Sequence, residues 1–122
     1  MPLRLLIVDD HQGFLDAACA GLEQEGIDVV GTATSSAVAL GDTEMLRPDA
    51  VLVDIFLGDE SGFALTRQLV QAFPELRSAV VLMSARSEED FADLIDASPA
   101  AGFIPKSRLS GRTVRELLAH PT

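Results

Sequence analysis

The stretch that decides the fold is Ala50-Val-Leu-Val-Asp54, in which four apolar residues run straight into a carboxylate. Apolar residues without strict alternation are typical of a strand that is buried on both faces of a parallel sheet. Pro48 and Asp49 come just before the stretch and break the helical pattern that precedes it. We therefore expect a strand over residues 50–53 whose carboxyl end carries Asp54.

Five short apolar runs of this kind alternate with helical patterns along the chain. The other four runs lie at residues 3–8, 27–30, 79–83 and 101–104. Because crossovers between parallel strands are right-handed, the alternation predicts a doubly wound parallel sheet with helices on both faces. The predicted fold class is therefore α/β, a five-stranded flavodoxin-like (βα)5 sheet with the strand order 2-1-3-4-5.

Apolar residues at helical spacing, together with capping residues, mark a helix after each strand. The predicted helices end at Gly26, run from Ser35 or Ser36 to about Leu46, run from about Ser61 to Phe73, begin at Ser87 and extend from about Ser110 to Ala119. Ser87 is expected to cap the fourth helix. The inner face of that helix is expected to consist of Phe91, Leu94 and Ile95.

The bulk composition restricts the class of protein. With 122 residues, of which 48% are hydrophobic, the chain is expected to form one domain over residues 1–122. Its net charge of −10 repels phosphate backbones and anionic membranes, so direct contact with nucleic acid or membrane is not expected. Cys19 is the single cysteine, which excludes an internal disulfide, and no apolar run has the length of a signal peptide. We therefore expect a cytoplasmic protein.

Polar residues follow the predicted strands at the points where the strands end. Strand one ends in Asp9-Asp10, strand three in Asp54 and strand four in Ser84, and Lys106 follows strand five. Because ligands bind at the carboxyl ends of such strands, we expect these side chains to meet at one site. Neighbouring carboxylates repel each other, and Mg²⁺, which prefers oxygen ligands, would relieve that repulsion.

Each of these residues also has an ordinary structural interpretation. Asp10 could cap the first helix, Ser84 could be a turn residue, and Lys106 could be a solvated loop lysine. Asp54 is harder to explain in this way, because a carboxylate that follows a buried strand needs partners. The joint arrangement at four strand ends favours a functional site.

Four motifs resemble those of response-regulator receiver domains in bacterial two-component systems. They are Ile7-Val-Asp-Asp10, Val53-Asp-Ile-Phe-Leu-Gly-Asp-Glu-Ser-Gly62, Met83-Ser-Ala85 and Gly102-Phe-Ile-Pro-Lys106, and the resemblance extends over nearly all 122 residues. The Phe-Ile-Pro-Lys-Ser stretch is most similar to the subfamily whose full-length members often carry a helix-turn-helix output domain.

The resemblance implies that Asp54 receives a phosphoryl group from a sensor histidine kinase or a phosphotransfer domain. It implies Mg²⁺ as the cofactor, with Asp10, Asp54 and the backbone carbonyl of Phe56 as its protein ligands. Asp9 would support the site, often through water. The Phe56 side chain follows Asp54 closely, and we hypothesise that it partly shields the acyl phosphate from water.

Three further residues complete the machinery that the resemblance implies. Lys106 would pair with the phosphoryl oxygens. Ser84 and Phe103 would be the switch pair, in which the hydroxyl moves toward the phosphoryl group and the ring follows inward. Phe103 stands where tyrosine is common in the family, so the switch cannot use a phenolic hydroxyl. We interpret His11 as a surface residue at the start of a helix and not as a phospho-relay histidine.

The leading interpretation is a signalling module that catalyses only its own phosphotransfer and dephosphorylation and is not a metabolic enzyme. Its partners would be a kinase that docks near Asp54 along the first helix and an output protein of unknown identity. A stand-alone receiver is favoured over the receiver half of a transcription factor, because the chain begins at Met1 and ends soon after the last helix. Formation of a homodimer stays open.

Three other interpretations fit less well. A flavin carrier on the same fold would need a Ser/Thr/Gly-rich loop after strand one, whereas this loop is Asp9-Asp-His-Gln-Gly13 and the chain has no Trp or Tyr. A phosphohydrolase of the haloacid-dehalogenase type would carry a D-x-D pattern there, whereas the two aspartates are adjacent. A degenerate receiver that never takes phosphate would lack some of the residues that this chain retains, which are Asp9, Asp10, Asp54, Ser84 and Lys106.

Overall fold

A sheet of five parallel strands lies at the centre of the protein in a computed structural model that describes residues 2–121. In chain order, the strands are β1 (Arg4–Val8), β2 (Asp28–Ala33), β3 (Ala50–Asp54), β4 (Phe56–Leu57), β5 (Glu60–Ser61), β6 (Val80–Ser84) and β7 (Gly102–Pro105). The five-stranded sheet has the order β2-β1-β3-β6-β7. Since β6 and β7 are the fourth and fifth long strands, the predicted flavodoxin-like order is confirmed.

A helix follows each long strand, as the alternation in the sequence predicts. The α-helices are α1 (Gln12–Gln24), α2 (Ser36–Leu46), α3 (Gly62–Ala72), α4 (Ala92–Ala97) and α5 (Gly111–Ala119). Short 3-10 turns lie at Pro74–Leu76, Glu88–Phe91 and Lys106–Arg108. Within residues 2–121, no helix combines the length and the apolar content that crossing a membrane requires.

Both faces of the sheet are buried under helices. On one face, Leu6 and Val8 of β1 join a core that includes residues of α2 and α3. On the other face, Leu5 and Ile7 join a core that includes residues of α1 and α5. All four side chains are fully buried. This two-sided burial explains why the strands read as unbroken apolar runs.

The register of the strands sets the position of the residues that follow them. Val8 at the end of β1 lies opposite Val53 of β3, and Ser84 at the end of β6 lies opposite Pro105 of β7. The strands therefore end at nearly the same level of the sheet. This register brings the polar residues at the strand ends to one edge: Asp9, Asp54, Ser84 and Lys106.

The segment after Asp54 differs from the predicted loop, because it contains a small antiparallel hairpin of β4 and β5. Gly58 lies in its turn with a φ of 63°, a left-handed conformation that glycine adopts without steric cost. Phe56 pairs with Ser61 across the hairpin, and the Leu57 side chain is buried. The hairpin therefore fixes the backbone that directly follows Asp54.

The second strand is longer than the apolar run that predicted it, since β2 continues past Gly31 to Ala33. The pairing with β1 shifts between Leu5 and Leu6, so that one residue of β2 is extra. This bulge keeps the later residues of β2 in register with β1. The apolar pattern ended the predicted strand too early, because a bulge leaves no mark in hydrophobicity alone.

The fourth helix departs most from the prediction. The Ser87 side chain makes no capping hydrogen bond, and the chain passes through a 3-10 turn before α4 begins. A 3-10 turn has about three residues per turn and an α-helix about 3.6, so the change rotates the buried face. Phe91 and Ile95 still pack against the core. Leu94 is 54% exposed, so its predicted place on the inner face is wrong.

Candidate functional site

The Asp54 carboxylate lies at the carboxyl end of β3 and is only 3% exposed. Its Oδ1 atom accepts a hydrogen bond of 3.2 Å from the backbone N–H of Phe56. Its Oδ2 atom lies 3.2 Å from the Nζ atom of Lys106, which donates a hydrogen bond to it. One amide and one ammonium group therefore partly compensate a buried negative charge.

Burial raises the pKa of the Asp54 carboxyl above its ordinary value. The N–H of Phe56 and the charge of Lys106 lower the pKa, and the charge of Asp9 raises it further. The net direction is upward, so the folded protein holds the ionised form of Asp54 at a cost in free energy. A cation or a reaction that offsets this charge is therefore favoured at this position.

The Asp9 carboxylate is completely buried at the end of β1. Its Oδ1 atom accepts a hydrogen bond of 2.9 Å from the backbone N–H of His11. Its Oδ2 atom forms an ion pair of 2.5 Å with Lys106 but has no partner with hydrogen-bond geometry. A buried carboxylate oxygen in this state retains the capacity to bind a further positive group.

The Lys106 ammonium group lies between the two buried carboxylates. It begins the 3-10 turn after β7, and its side chain is 14% exposed. The ring of Phe14 from α1 packs against it, with 4.3 Å between Nζ and the ring centroid. Burial lowers the pKa of Lys106, but Asp9 and Asp54 outweigh this effect and the net shift is upward. Lys106 is therefore a charged, enclosed group and not a solvated loop lysine.

Asp10 and His11 lie beside Asp9 and Asp54 at the carboxyl ends of β1 and β3, and we call this group of four residues the acidic edge. The Nδ1 atom of His11 lies 3.0 Å from Asp10 Oδ1 and 3.2 Å from Asp9 Oδ1. His11 is the cap residue of α1 but makes no capping hydrogen bond with its side chain, and Asp10 precedes that cap. Asp9, Asp10, His11 and Asp54 each offer one ligand atom, and these atoms lie within 4.8 Å of one another. This donor set, which is mostly oxygen, fits a divalent cation such as Mg²⁺.

Ser84 ends β6, beside Asp54 on β3, and is almost completely buried. Its Oγ atom accepts a hydrogen bond of 3.1 Å from the backbone N–H of Arg86. Phe103 lies on the next strand, β7, and its side chain belongs to the core on the α3 face of the sheet. The Ser84 hydroxyl thus lies at the edge of the sheet that carries the carboxylates, and Phe103 lies on the adjacent strand, opposite Leu82.

The Phe56 side chain, two residues after Asp54, is 43% exposed. The guanidinium group of Arg86 lies over its ring, 5.2 Å from the centroid. The ring of Phe91 packs against it edge to face, with 5.5 Å between centroids. These two contacts restrain a half-exposed apolar ring that would otherwise move freely in solvent.

A sequence model of the response regulator receiver domain matches residues 5–117, a range that contains every site residue described above. The chain belongs to the response regulator receiver family. Receiver domains are signalling domains that interact with histidine kinases and with output domains. The family assignment therefore confirms the resemblance on which the prediction of a phosphorelay module was based.

Relatives of this receiver include the DNA-binding transcriptional activator DevR/DosR of Mycobacterium tuberculosis, which is 36% identical over 108 residues. That alignment covers 85% of the receiver chain and 48% of DevR/DosR. Response regulator GacA of Pseudomonas viridiflava is 31% identical, with 85% of this chain and 48% of GacA covered. The receiver chain thus spans about half the length of the curated relatives it matches.

Solved structures of receivers have the same fold. The signal receiver domain of NarL from Mycobacterium tuberculosis superposes with a TM-score of 0.81 at 27% identity, and the match covers 97% of this chain and 94% of that one.

The structure of the receiver also contains neighbours of the site that sequence reasoning missed. No role at the site was expected for Phe14, yet its ring contacts the Lys106 ammonium group. Phe91 was expected on the inner face of the fourth helix, yet its ring also packs on Phe56. No sequence signal marks either contact, because each joins side chains from elements far apart in the chain.

Proposed function

We propose that this receiver accepts a phosphoryl group on Asp54 from a phosphohistidine of a sensor histidine kinase or a phosphotransfer domain. The observation that carries the proposal is the buried Asp54 carboxylate, which is paired with Lys106 and lies beside Asp9. In a chain of the receiver family, a carboxylate at this strand end is the natural acceptor. The raised pKa of the Asp54 carboxyl indicates that its protein partners compensate the negative charge incompletely, which a bound cation would remedy.

Mg²⁺ is the proposed cofactor, because it prefers hard oxygen ligands and retains several waters. Asp10, Asp54 and the backbone carbonyl of Phe56 would hold it, and Asp9 would support these ligands. The convergence of the carboxylates and the incompletely satisfied Oδ2 atom of Asp9 support this assignment. When bound, Mg²⁺ would neutralise charge on the phosphoryl oxygens.

The proposed transfer of the phosphoryl group uses Asp54, Lys106, Ser84 and Phe103. An Asp54 carboxylate oxygen attacks phosphorus, the bond from phosphorus to the donor imidazole nitrogen breaks, and an acyl phosphate forms. Lys106, which already contacts Asp54, then balances the charge of a phosphoryl oxygen. The Ser84 hydroxyl donates a hydrogen bond to another phosphoryl oxygen, and Phe103 follows it inward as the second member of the switch.

The proposed activity is limited to the receiver itself. The chain would catalyse its own phosphorylation and its own dephosphorylation, and it would turn over no metabolite. Residues 1–122 would form a single receiver domain that works in the cytoplasm. The kinase would dock along α1, next to the acidic edge, and a surface switched by Ser84 and Phe103 would contact the output protein, with dimerisation left open.

The test is the intact mass of the protein after incubation with a small phosphodonor and Mg²⁺. We expect a gain of one phosphoryl group in the wild type, no gain in Asp54→Ala, and no gain when EDTA removes the metal. Asp59→Ala is a matched control, because Asp59 is an exposed carboxylate in the hairpin turn and should leave the gain unchanged.

A wild type that gains no mass with any donor and does not bind beryllofluoride would contradict the proposal. That result would favour a degenerate receiver, in which the acidic edge is retained without phosphorylation. A gain of mass that persists in Asp54→Ala would place the acceptor on another residue.

A second candidate is the receiver half of a longer transcription factor. The observation that favours it is the length of the relatives, since this chain covers about half of DevR/DosR, a DNA-binding transcriptional activator. Under this proposal the output would be a DNA-binding domain of the same polypeptide. The length of the reading frame that encodes the chain decides between this candidate and a stand-alone receiver.

A further inference from the structure

We propose that His11 is an additional ligand at the acidic edge and shifts the cation preference of the site from Mg²⁺ toward transition ions such as Co²⁺. This inference rests on the proposed function, because it concerns the same cation site. It adds a residue that determines which divalent ion the receiver binds best.

The geometry of the His11 ring is the first argument. Its Nδ1 atom lies 3.0 Å from an oxygen of Asp10. One nitrogen of the ring and one oxygen each of Asp9, Asp10 and Asp54 lie within 4.8 Å of one another. Opposite ligands of an octahedral ion are about 4.2 Å apart when each bond is about 2.1 Å long. A contraction of well under 1 Å, on the order of an ordinary side-chain adjustment, would therefore close the set around an ion.

The backbone of His11 is held in place while its ring retains freedom. The backbone N–H donates a hydrogen bond of 2.9 Å to the fully buried Asp9 carboxylate. The side chain is 70% exposed, so the ring can rotate without disturbing the core. An anchored backbone with an exposed ring leaves space for the imidazole to turn toward an ion that enters between the carboxylates.

The balance of charge around the ring is the second, independent argument. The Oδ2 atom of Asp9 is buried and has no hydrogen bond, although Lys106 forms an ion pair with it. Three carboxylates thus face one ammonium group at this edge. Nδ1 lies 3.2 Å from Asp9 Oδ1 and 3.0 Å from Asp10 Oδ1, so an ion bound by these carboxylates would lie within reach of the imidazole.

The chemistry of the added ligand sets the direction of the preference. Mg²⁺ binds carboxylates, carbonyls and water and gains little from an imidazole. Co²⁺ and the later divalent ions of the first transition row bind imidazole well. A nitrogen ligand beside the aspartates therefore raises affinity for these ions far more than for Mg²⁺.

The test compares calorimetric titrations of Co²⁺ alone and Mg²⁺ alone on the wild type, His11→Ala and His120→Ala, all in a Cys19→Ser background. His120 is the only other histidine in the chain, and Cys19 is the only thiol that could bind Co²⁺. We expect the ratio of Co²⁺ affinity to Mg²⁺ affinity to fall on the order of tenfold in His11→Ala. The His120→Ala variant should keep the wild-type ratio.

A second measurement uses the protein without substitutions at either histidine. Substoichiometric Co²⁺ should broaden and shift the imidazole NMR signals of His11 before those of His120. An unchanged affinity ratio in His11→Ala, or His11 signals that Co²⁺ leaves sharp, would overturn the inference.

The two proposals fail in distinguishable ways. A Mg²⁺-dependent gain of mass on Asp54 in a protein whose affinity ratio does not depend on His11 would remove only the further inference. A His11-dependent affinity ratio in a protein that never gains mass would support this cation site and count against the phosphorylation proposal.

Discussion

The Asp54 carboxylate is held by one backbone N–H and one ammonium group, while Asp9 repels it. The proximity of Asp9 and Lys106 to Asp54 could be predicted, because each residue follows a strand and a parallel sheet brings the ends of its strands together. The Phe56 N–H also contacts Asp54 by local geometry, since only one residue separates the two. The proximity of Asp9, Asp54 and Lys106 was therefore predictable from the sequence, although the net upward shift of the Asp54 pKa was not.

Phe56→Asn should shorten the lifetime of the phosphorylated receiver several-fold. The aromatic ring packs against Phe91 and under the Arg86 guanidinium group, and an amide at this position would attract water to the acyl phosphate. The measurement is the decay of the phosphorylated intact mass after the donor is removed.

Phe56→Leu is the matched control, because it retains an apolar side chain and the same backbone carbonyl. Its decay rate should stay close to that of the wild type. Equal decay rates for wild type and Phe56→Asn would show that the ring does not shield the phosphoryl group.

At the scale of secondary structure, the position of Asp54 is fixed by the connection that runs from β3 through the hairpin to α3. A Cβ atom added to Gly62, the first residue of α3, would lie 2.1 Å from the carbonyl oxygen of Asp54 and 2.8 Å from Ile55 Cα. The Gly62 N–H also donates a hydrogen bond of 2.8 Å to the carbonyl of Ile55. The start of α3 therefore packs directly against the backbone of Asp54 and Ile55.

Gly62→Ala should lower the free energy of unfolding by about 3 kcal/mol, because the backbone at Asp54 must move to admit the methyl group. Gly21→Ala is the matched control. Gly21 lies inside α1 with open space around the added methyl group, so alanine should stabilise the protein by up to about 1 kcal/mol. Chemical denaturation of both variants checks the prediction, and equal effects would contradict it.

Helix caps provide a second comparison at this scale. Ser110 forms a capping box at the start of α5, in which its Oγ accepts from the Thr113 N–H at 3.1 Å and its own N–H donates to Thr113 Oγ1 at 3.0 Å. Ser87 resembles a cap in sequence but makes no capping hydrogen bond with its side chain. The sequence predicted a cap at Ser87, which is wrong, and indicated Ser110 only as the approximate start of the last helix, where the structure has a capping box.

Ser110→Ala should destabilise the protein by about 1 kcal/mol, because the Thr113 N–H at the start of α5 loses the Ser110 Oγ atom as its acceptor. Ser87→Ala should change stability by less than about 0.5 kcal/mol, since no side-chain cap is removed. Urea denaturation of both variants measures the difference. A Ser87→Ala loss as large as that of Ser110→Ala would indicate that the serine caps the helix in solution.

At the scale of the whole molecule, the acidic edge links stability to pH. The folded protein raises the pKa of Asp54, whereas the unfolded chain does not. The ionised carboxylate therefore destabilises the fold at pH values above the folded pKa. This destabilisation is relieved as the pH falls through that pKa, because the folded state then binds the proton more readily than the unfolded state.

Asp54→Asn should raise the free energy of unfolding by about 1 kcal/mol at neutral pH in metal-free buffer, because a buried charge is removed. The gain should shrink as the pH falls through the folded pKa of Asp54, where the wild-type carboxyl is neutral as well. Thermal or chemical denaturation at several pH values provides the measurement. Asp59→Asn, at an exposed carboxylate, should show no such gain, and a gain that grows toward acid pH would contradict the argument.

The sequence by itself determined the order of strands and helices, the two-sided burial of the sheet and the residues that stand at the strand ends. These features follow from local patterns, since apolar runs define buried strands and the residue after a strand must lie at its end. The sequence also marked Asp54 as unusual, because a charge directly after a buried strand requires compensation.

Only the tertiary structure decided how the side chains meet. Lys106 reaches Asp54 across 52 residues of sequence, and its contact with Phe14 depends on the packing of α1 against that edge. The exposure of Leu94 and the hairpin after Asp54 likewise depend on how one segment lies against others. Periodicity describes one element at a time, whereas these contacts are set by the free energy of packing several elements together.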